Sequence, residues 1–107
     1  MNETLKRLHQ IGHDLQLTSV NQEWGIENAD PRRVNEFIDF FYTMSSEPKT
    51  VQYNLADLIA ASIWEAMEQG NMQYGNKKID NFFEFIRKDS HFEPLVVYWA
   101  SVGLIGI

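Results

Sequence analysis

The chain has 107 residues, with 15 acids against 9 bases and a formal net charge of −6. That length suits one domain, and a composition of 44% hydrophobic and 13% aromatic residues is globular, not disordered. The absence of cysteine excludes a disulfide framework, a zinc–thiolate site and a cysteine nucleophile, and the acidic balance argues against binding to nucleic acid or an anionic membrane.

The opening residues, Met1 to Lys6, lack the apolar run of a secretory signal, so a cytoplasmic location is expected. The first helix is predicted from Asn2, a plausible N-cap, to about Leu17, on the helical spacing of Leu5, Leu8, Ile11 and Leu15. Thr18 to Ala29 shows no period and reads as a loop with room for one helical turn. Asp30 followed by Pro31 is a strong start signal, because proline at the first helical position loses no hydrogen bond. Val34, Phe37, Ile38 and Phe41 form the stripe of that second helix, which should end near Ser45 before a turn at Ser46–Lys49.

A third helix is predicted from Val51 or Asn54 to Gln69, stopped by Gly70. Its core face is Leu55, Leu58, Ile59, Ser62, Ile63 and Ala66. After a loop through Gly75, a fourth helix spans about Lys77 to Lys88, with Ile79, Phe82, Phe83 and Ile86 on one side. The segment from Leu95 to about Leu104 is uncharged and apolar, and its β-branched residues leave both helix and strand open. The uncharged stretch continues to Ile107 and falls short of the roughly 20 residues of a membrane span. The expected fold is all-α, a small bundle of four to five short amphipathic helices in a single domain.

Catalytic motifs are missing. His9 and His13, spaced i,i+4, could share a metal ion, but no glutamate of a His-Glu-x-x-His motif and no third histidine accompany them. They read as surface residues, and no metal or other cofactor is expected. No serine lies in a nucleophile elbow, and no glycine-rich phosphate loop occurs. A binding protein is therefore expected, not an enzyme. Lys77, Lys78, Arg87 and Lys88 are matched by four acids within 77–93, which leaves no basic face for nucleic acid.

The charge is unevenly spread. Residues 14–76 hold ten acids against Arg32, Arg33 and Lys49, and no base occurs between Thr50 and Asn76. At about 100° per residue, Trp64 points away from the core stripe of the third helix, on the side of Asp57 and Glu68. Phe40 likewise faces away from the stripe of the second helix, near Glu36, with Asp39 further round. Two readings follow. The helices are buried on two sides, which Ala60 and Ala61 would permit, or the aromatics anchor an acidic surface for a basic protein partner.

A small, acidic, cysteine-free, mostly helical chain of this pattern resembles the immunity proteins of bacterial toxin systems. These include the partners of contact-dependent growth-inhibition toxins and the colicin-type nuclease inhibitors. The resemblance implies a protein that occludes a toxin domain with a basic surface, such as a nuclease. On that reading Glu36, Asp39, Asp57, Glu65 and Glu68 steer the encounter and pair with basic groups, while Phe40 and Trp64 anchor it. The alternatives are a module that self-associates as a homodimer through Trp99, Val102, Leu104 and Ile105, and an acidic mimic of nucleic acid.

Overall fold

A computed structural model describes residues 3–18, 23–70 and 76–104. These form six α-helices: α1 (Glu3–Asp14), α2 (Trp24–Glu27), α3 (Val34–Thr43), α4 (Lys49–Glu68), α5 (Lys77–Arg87) and α6 (Glu93–Ser101). Two 3₁₀ turns, Pro31–Arg33 and Ser90–Phe92, lead into α3 and α6. No strand occurs among the described residues, so the fold is all-α. The predicted N-cap at Asn2 and the loop through Gly75 fall outside the described residues.

The apolar run after Pro94 is a helix. It closes when Gly103 turns to φ 89°, its N–H donating to the Ala100 carbonyl at 3.1 Å and that of Leu104 to the Trp99 carbonyl at 2.9 Å. This paired closure folds Leu104 back onto the core. The same pattern ends α1 at Asp14, earlier than the spacing of leucines suggests. Gln16 adopts φ 59°, the Gln16 N–H reaches the His13 carbonyl, and the Leu17 N–H reaches the Gly12 carbonyl at 2.7 Å. A left-handed conformation at a residue with a Cβ costs about 1 kcal/mol, which is why the stop is invisible to a search for glycine.

The longest helix departs most from the expected short amphipathic elements. α4 runs for 20 residues, and eleven of them, spread round its axis, are buried. It begins at Lys49, inside the predicted turn, because Pro48 takes an extended ψ of 149° and its carbonyl accepts from the Val51 and Gln52 N–H groups. Small residues let neighbours approach closely: a Cβ on Gly25 of α2 would lie 2.9 Å from the Leu58 backbone nitrogen. α4 is therefore the axle of the bundle, with α1, α2, α3 and α6 packed round it. Its off-stripe aromatic, Trp64, is half-buried, so packing on a second side covers part of its ring and leaves part exposed.

α3 begins as predicted. Asp30 caps the 3₁₀ turn by accepting from the Arg32 N–H at 3.0 Å. Its own N–H donates to the Ser62 hydroxyl at 3.0 Å, and that hydroxyl donates to the Leu58 carbonyl at 2.8 Å. One buried serine thus ties the start of α3 to the middle of α4. α3 ends at Thr43, slightly before the expected Ser45. α5 packs on α3 and α6 through Ile79, Phe82, Phe83 and Ile86, the four predicted core residues.

Candidate partner-binding surface

The two acidic groups singled out from the sequence meet different fates. On α3, Glu36 accepts two hydrogen bonds from Arg33, at 2.6 and 2.9 Å, which hold its carboxyl below the usual range. Arg33 also donates to the Leu15 carbonyl at 2.8 Å and lies 4.7 Å from the centre of the Phe37 ring. Both oxygens of Asp39 sit 2.9 Å from Lys78 Nζ on α5. Phe40 is half-buried and packs against the core, so only part of its ring is offered as an anchor. Of these α3 acids, Asp39 ties α3 to α5, while Glu36 pairs locally with Arg33 of the preceding turn.

On α4 the acids make no ion pair among the described residues. Trp64 is half-buried against Trp99 of α6, with ring centroids 6.3 Å apart. Asp57 Oδ1 accepts from Trp99 Nε1 at 3.1 Å. Burial pushes the Asp57 carboxyl above its ordinary pKa; the indole hydrogen bond opposes this, and nearby Glu23 adds to it. Glu65 is half-buried and Glu68 exposed, and neither makes an ion pair among the described residues.

α6 exposes two residues, Val97 and Tyr98, that the sequence reading did not single out, next to Val102, which it did. Leu95 and Trp99 face inward, while Val97 is 62% exposed, Tyr98 51% and Val102 39%. With Pro94 and Ser101 these residues make up an outer face whose charge is confined to Glu93 in the first turn of α6. The signal was present as an uncharged run, but an apolar run reads as core until its partners are known. The predicted seam residues separate accordingly: Trp99 and Leu104 are buried, Val102 is exposed, and Ile105 lies outside the described residues.

Three contacts orient this surface. Tyr53 stacks near Phe92, 6.4 Å between centroids and 9° between planes, while Trp99 meets both Asp57 and Trp64. α6 therefore runs alongside α4 in the same sense, and its C-terminal turn lies toward Glu65 and Glu68. α4 thus presents half-buried Trp64 on the same face as Asp57 and Glu68, and α6 presents Val97, Tyr98 and Val102 on faces turned away from its buried Leu95.

Elsewhere, His9 is half-buried and His13 exposed, and no group of three or more metal-ligating side chains converges among the described residues. No helix of the described residues is long and apolar enough to cross a membrane. A shallow depression of about 210 Å³ is lined by Lys49, Thr50, Tyr53, Asn54 and His91, where Asp89 already occupies Lys49 at 2.8 Å and the His91 ring at 2.9 Å. Among known proteins, no family model matches the chain, and no curated protein or solved structure is significantly similar to it.

Proposed function

We propose that this protein is an immunity-type inhibitor that binds a toxin domain through the α4–α6 surface and neutralises it by occlusion. The observation that carries the reading is the exposed apolar trio of α6, Val97, Tyr98 and Val102, on a bundle whose α4 acids make no ion pair among the described residues. Interfaces place apolar and aromatic anchors at their centre and polar groups at the rim. A partner with an apolar patch inside a basic border complements that arrangement. A nuclease domain fits it well, since its substrate surface must be positive.

The test is to sequence the neighbouring genes and co-express this chain with a toxin domain found there; a neighbourhood without one counts against the proposal. The wild-type chain should restore growth, and a Tyr98→Ala/Glu68→Lys variant with an unchanged circular dichroism spectrum should not. Failure of the wild type to protect, or full protection by the folded variant, overturns the proposal.

A second reading rests on the same exposed residues: two copies of α6 could meet along Val97, Tyr98 and Val102, none of which is charged. Sedimentation at rising concentration separates the two. A strict monomer removes self-association, and a stable dimer sealing Tyr98 removes the inhibitor reading of this face.

A further inference from the structure

We propose that the depression between the first turns of α4 and the entry to α6 receives one arginine side chain of the bound partner, its guanidinium laid against Tyr53 and donating to Asn54 and His91. The inference rests on reading the partner as basic, and on no contact made by Val97, Tyr98 or Val102. The depression is lined by Lys49, Thr50, Tyr53, Asn54 and His91 and holds about 210 Å³. Small-molecule sites run to about 300–1,000 Å³, so this one suits a single side chain.

Lysine, histidine and threonine at the start of a helix first suggest an anion. Their bonding argues otherwise. Lys49 Nζ donates to Asp89 Oδ2 at 2.8 Å, and Asp89 Oδ1 lies 2.9 Å from His91 Nδ1. The Thr50 hydroxyl meets that of Thr4 at 3.0 Å. The groups left over are acceptors. Asn54 donates to the Thr50 carbonyl at 2.8 Å through its amide nitrogen, which leaves its amide oxygen. A neutral His91 ring bonds the Asp89 carboxylate through Nδ1–H, so its Nε2 presents a lone pair. The half-buried Tyr53 hydroxyl can accept as well. None of these three atoms has a hydrogen-bond partner among the described residues.

The nearby charge has the matching sign. Asp89 cancels Lys49. Burial, and then the charge of Asp57 one turn further along α4, raise the pKa of the Tyr53 phenol. The Tyr53 ring is held by stacking on Phe92, 9° between planes. A guanidinium stacks on such a ring and spreads its donors in one plane. An ammonium is a point charge and does neither.

The experiment titrates the ¹⁵N- and ¹³C-labelled full chain with N-acetyl-arginine methylamide and reads the His91 ring, the Asn54 side-chain amide and the Tyr53 ring. The methylamides of N-acetyl-lysine and N-acetyl-glutamic acid are the comparisons, at a slightly alkaline pH that keeps an ordinary imidazole neutral. The arginine compound should shift all three groups saturably. The lysine compound should bind about threefold or more weakly, and the glutamate compound should leave them unmoved. Tyr53→Phe keeps the ring on Phe92 and removes one acceptor, and Asn54→Ala removes another from the surface of α4. Each should weaken arginine binding about three- to tenfold, the worth of one hydrogen bond, with the rest of the spectrum in place.

No saturable shift at these groups, equal binding of the lysine compound, or unchanged affinity in either variant overturns the proposal. Binding of the glutamate compound there overturns it too and makes the depression an anion site. None of these outcomes touches the α6 surface, which the growth-protection assay decides independently.

Discussion

The α3–α5 side and the α4–α6 side of the bundle carry similar residues and use them differently. On the first, Glu36 and Asp39 are closed off by Arg33 and Lys78. On the second, Asp57, Glu65 and Glu68 of α4 have no basic partner among the described residues, and Val97, Tyr98 and Val102 of α6 stand exposed. Counting acids along the chain treats the two sides alike. What separates them is whether the fold itself satisfies the charge. An ion pair within the molecule spends an acid on architecture, while an unanswered acid near exposed apolar surface is available to a partner.

The hydrogen bond between Trp99 and Asp57 is where that contrast breaks most sharply. Trp99→Phe keeps a large ring against Trp64 but removes the indole N–H that donates to the Asp57 carboxylate. The expected loss at neutral pH is about 1–3 kcal/mol, the cost of leaving an enclosed acceptor unsatisfied, as read from urea unfolding. On the α3–α5 side, Lys78→Met leaves Asp39 exposed to water, so the loss there should be under about 1 kcal/mol, as for a surface ion pair. If both changes cost the same, the two sides are not different in kind.

The pH dependence of stability sharpens the comparison further, because two aspartates should act with opposite sign. Asp57 has a native pKa above its unfolded value, chiefly through burial. Its contribution to stability is full below the ordinary carboxylate range and is lost as pH rises through the raised value. Asn resembles the protonated form at every pH, so Asp57→Asn should match the wild type in acid and exceed it at neutral pH. Asp89 is the reverse: the Lys49 hydrogen bond, then those from the His91 N–H and ring, hold its native pKa far below the usual range. Its contribution is full above the unfolded value and is lost as pH falls through the depressed one. Asp89→Asn should therefore be less stable than the wild type at neutral pH and approach it only in strong acid. Thermal melts of the three proteins across acid to neutral pH check both signs.

Most of the fold was legible because helical spacing records burial on one face. Val34, Phe37, Ile38 and Phe41 on α3, and the four apolar residues of α5, lie in the core as their periodicity requires. Asp30–Pro31 marked the start of the α3 segment because the cap is a local hydrogen bond. The all-round burial of α4 was less legible, since small residues such as Ala56 and Ala60 say that a neighbour can approach but not which one does. The fate of each charge was not legible at all. Lys78 reaches Asp39 across 39 positions and Arg7 reaches Glu47 across 40, and no local pattern encodes such pairings. The exposed arc of α6 was hidden for the same reason, because an apolar run shows its inner and outer faces only once α4 and α5 are in place.

The smallest expected change in stability is the most telling for the surface. Tyr98 is 51% exposed and meets Trp99 edge-on, 5.0 Å between centroids. Tyr98→Ala removes surface that is already half in water, so the unfolding free energy should move by no more than about 0.5 kcal/mol. Loss of protection against the toxin with stability unchanged would place Tyr98 in the contact itself. A large destabilisation would instead make the α6 ring part of the core and remove the difference between the two sides. Phe85, 41% exposed on α5 and edge-on to Tyr42, is the matching control: Phe85→Ala should leave protection intact if the partner reads the α4–α6 side alone.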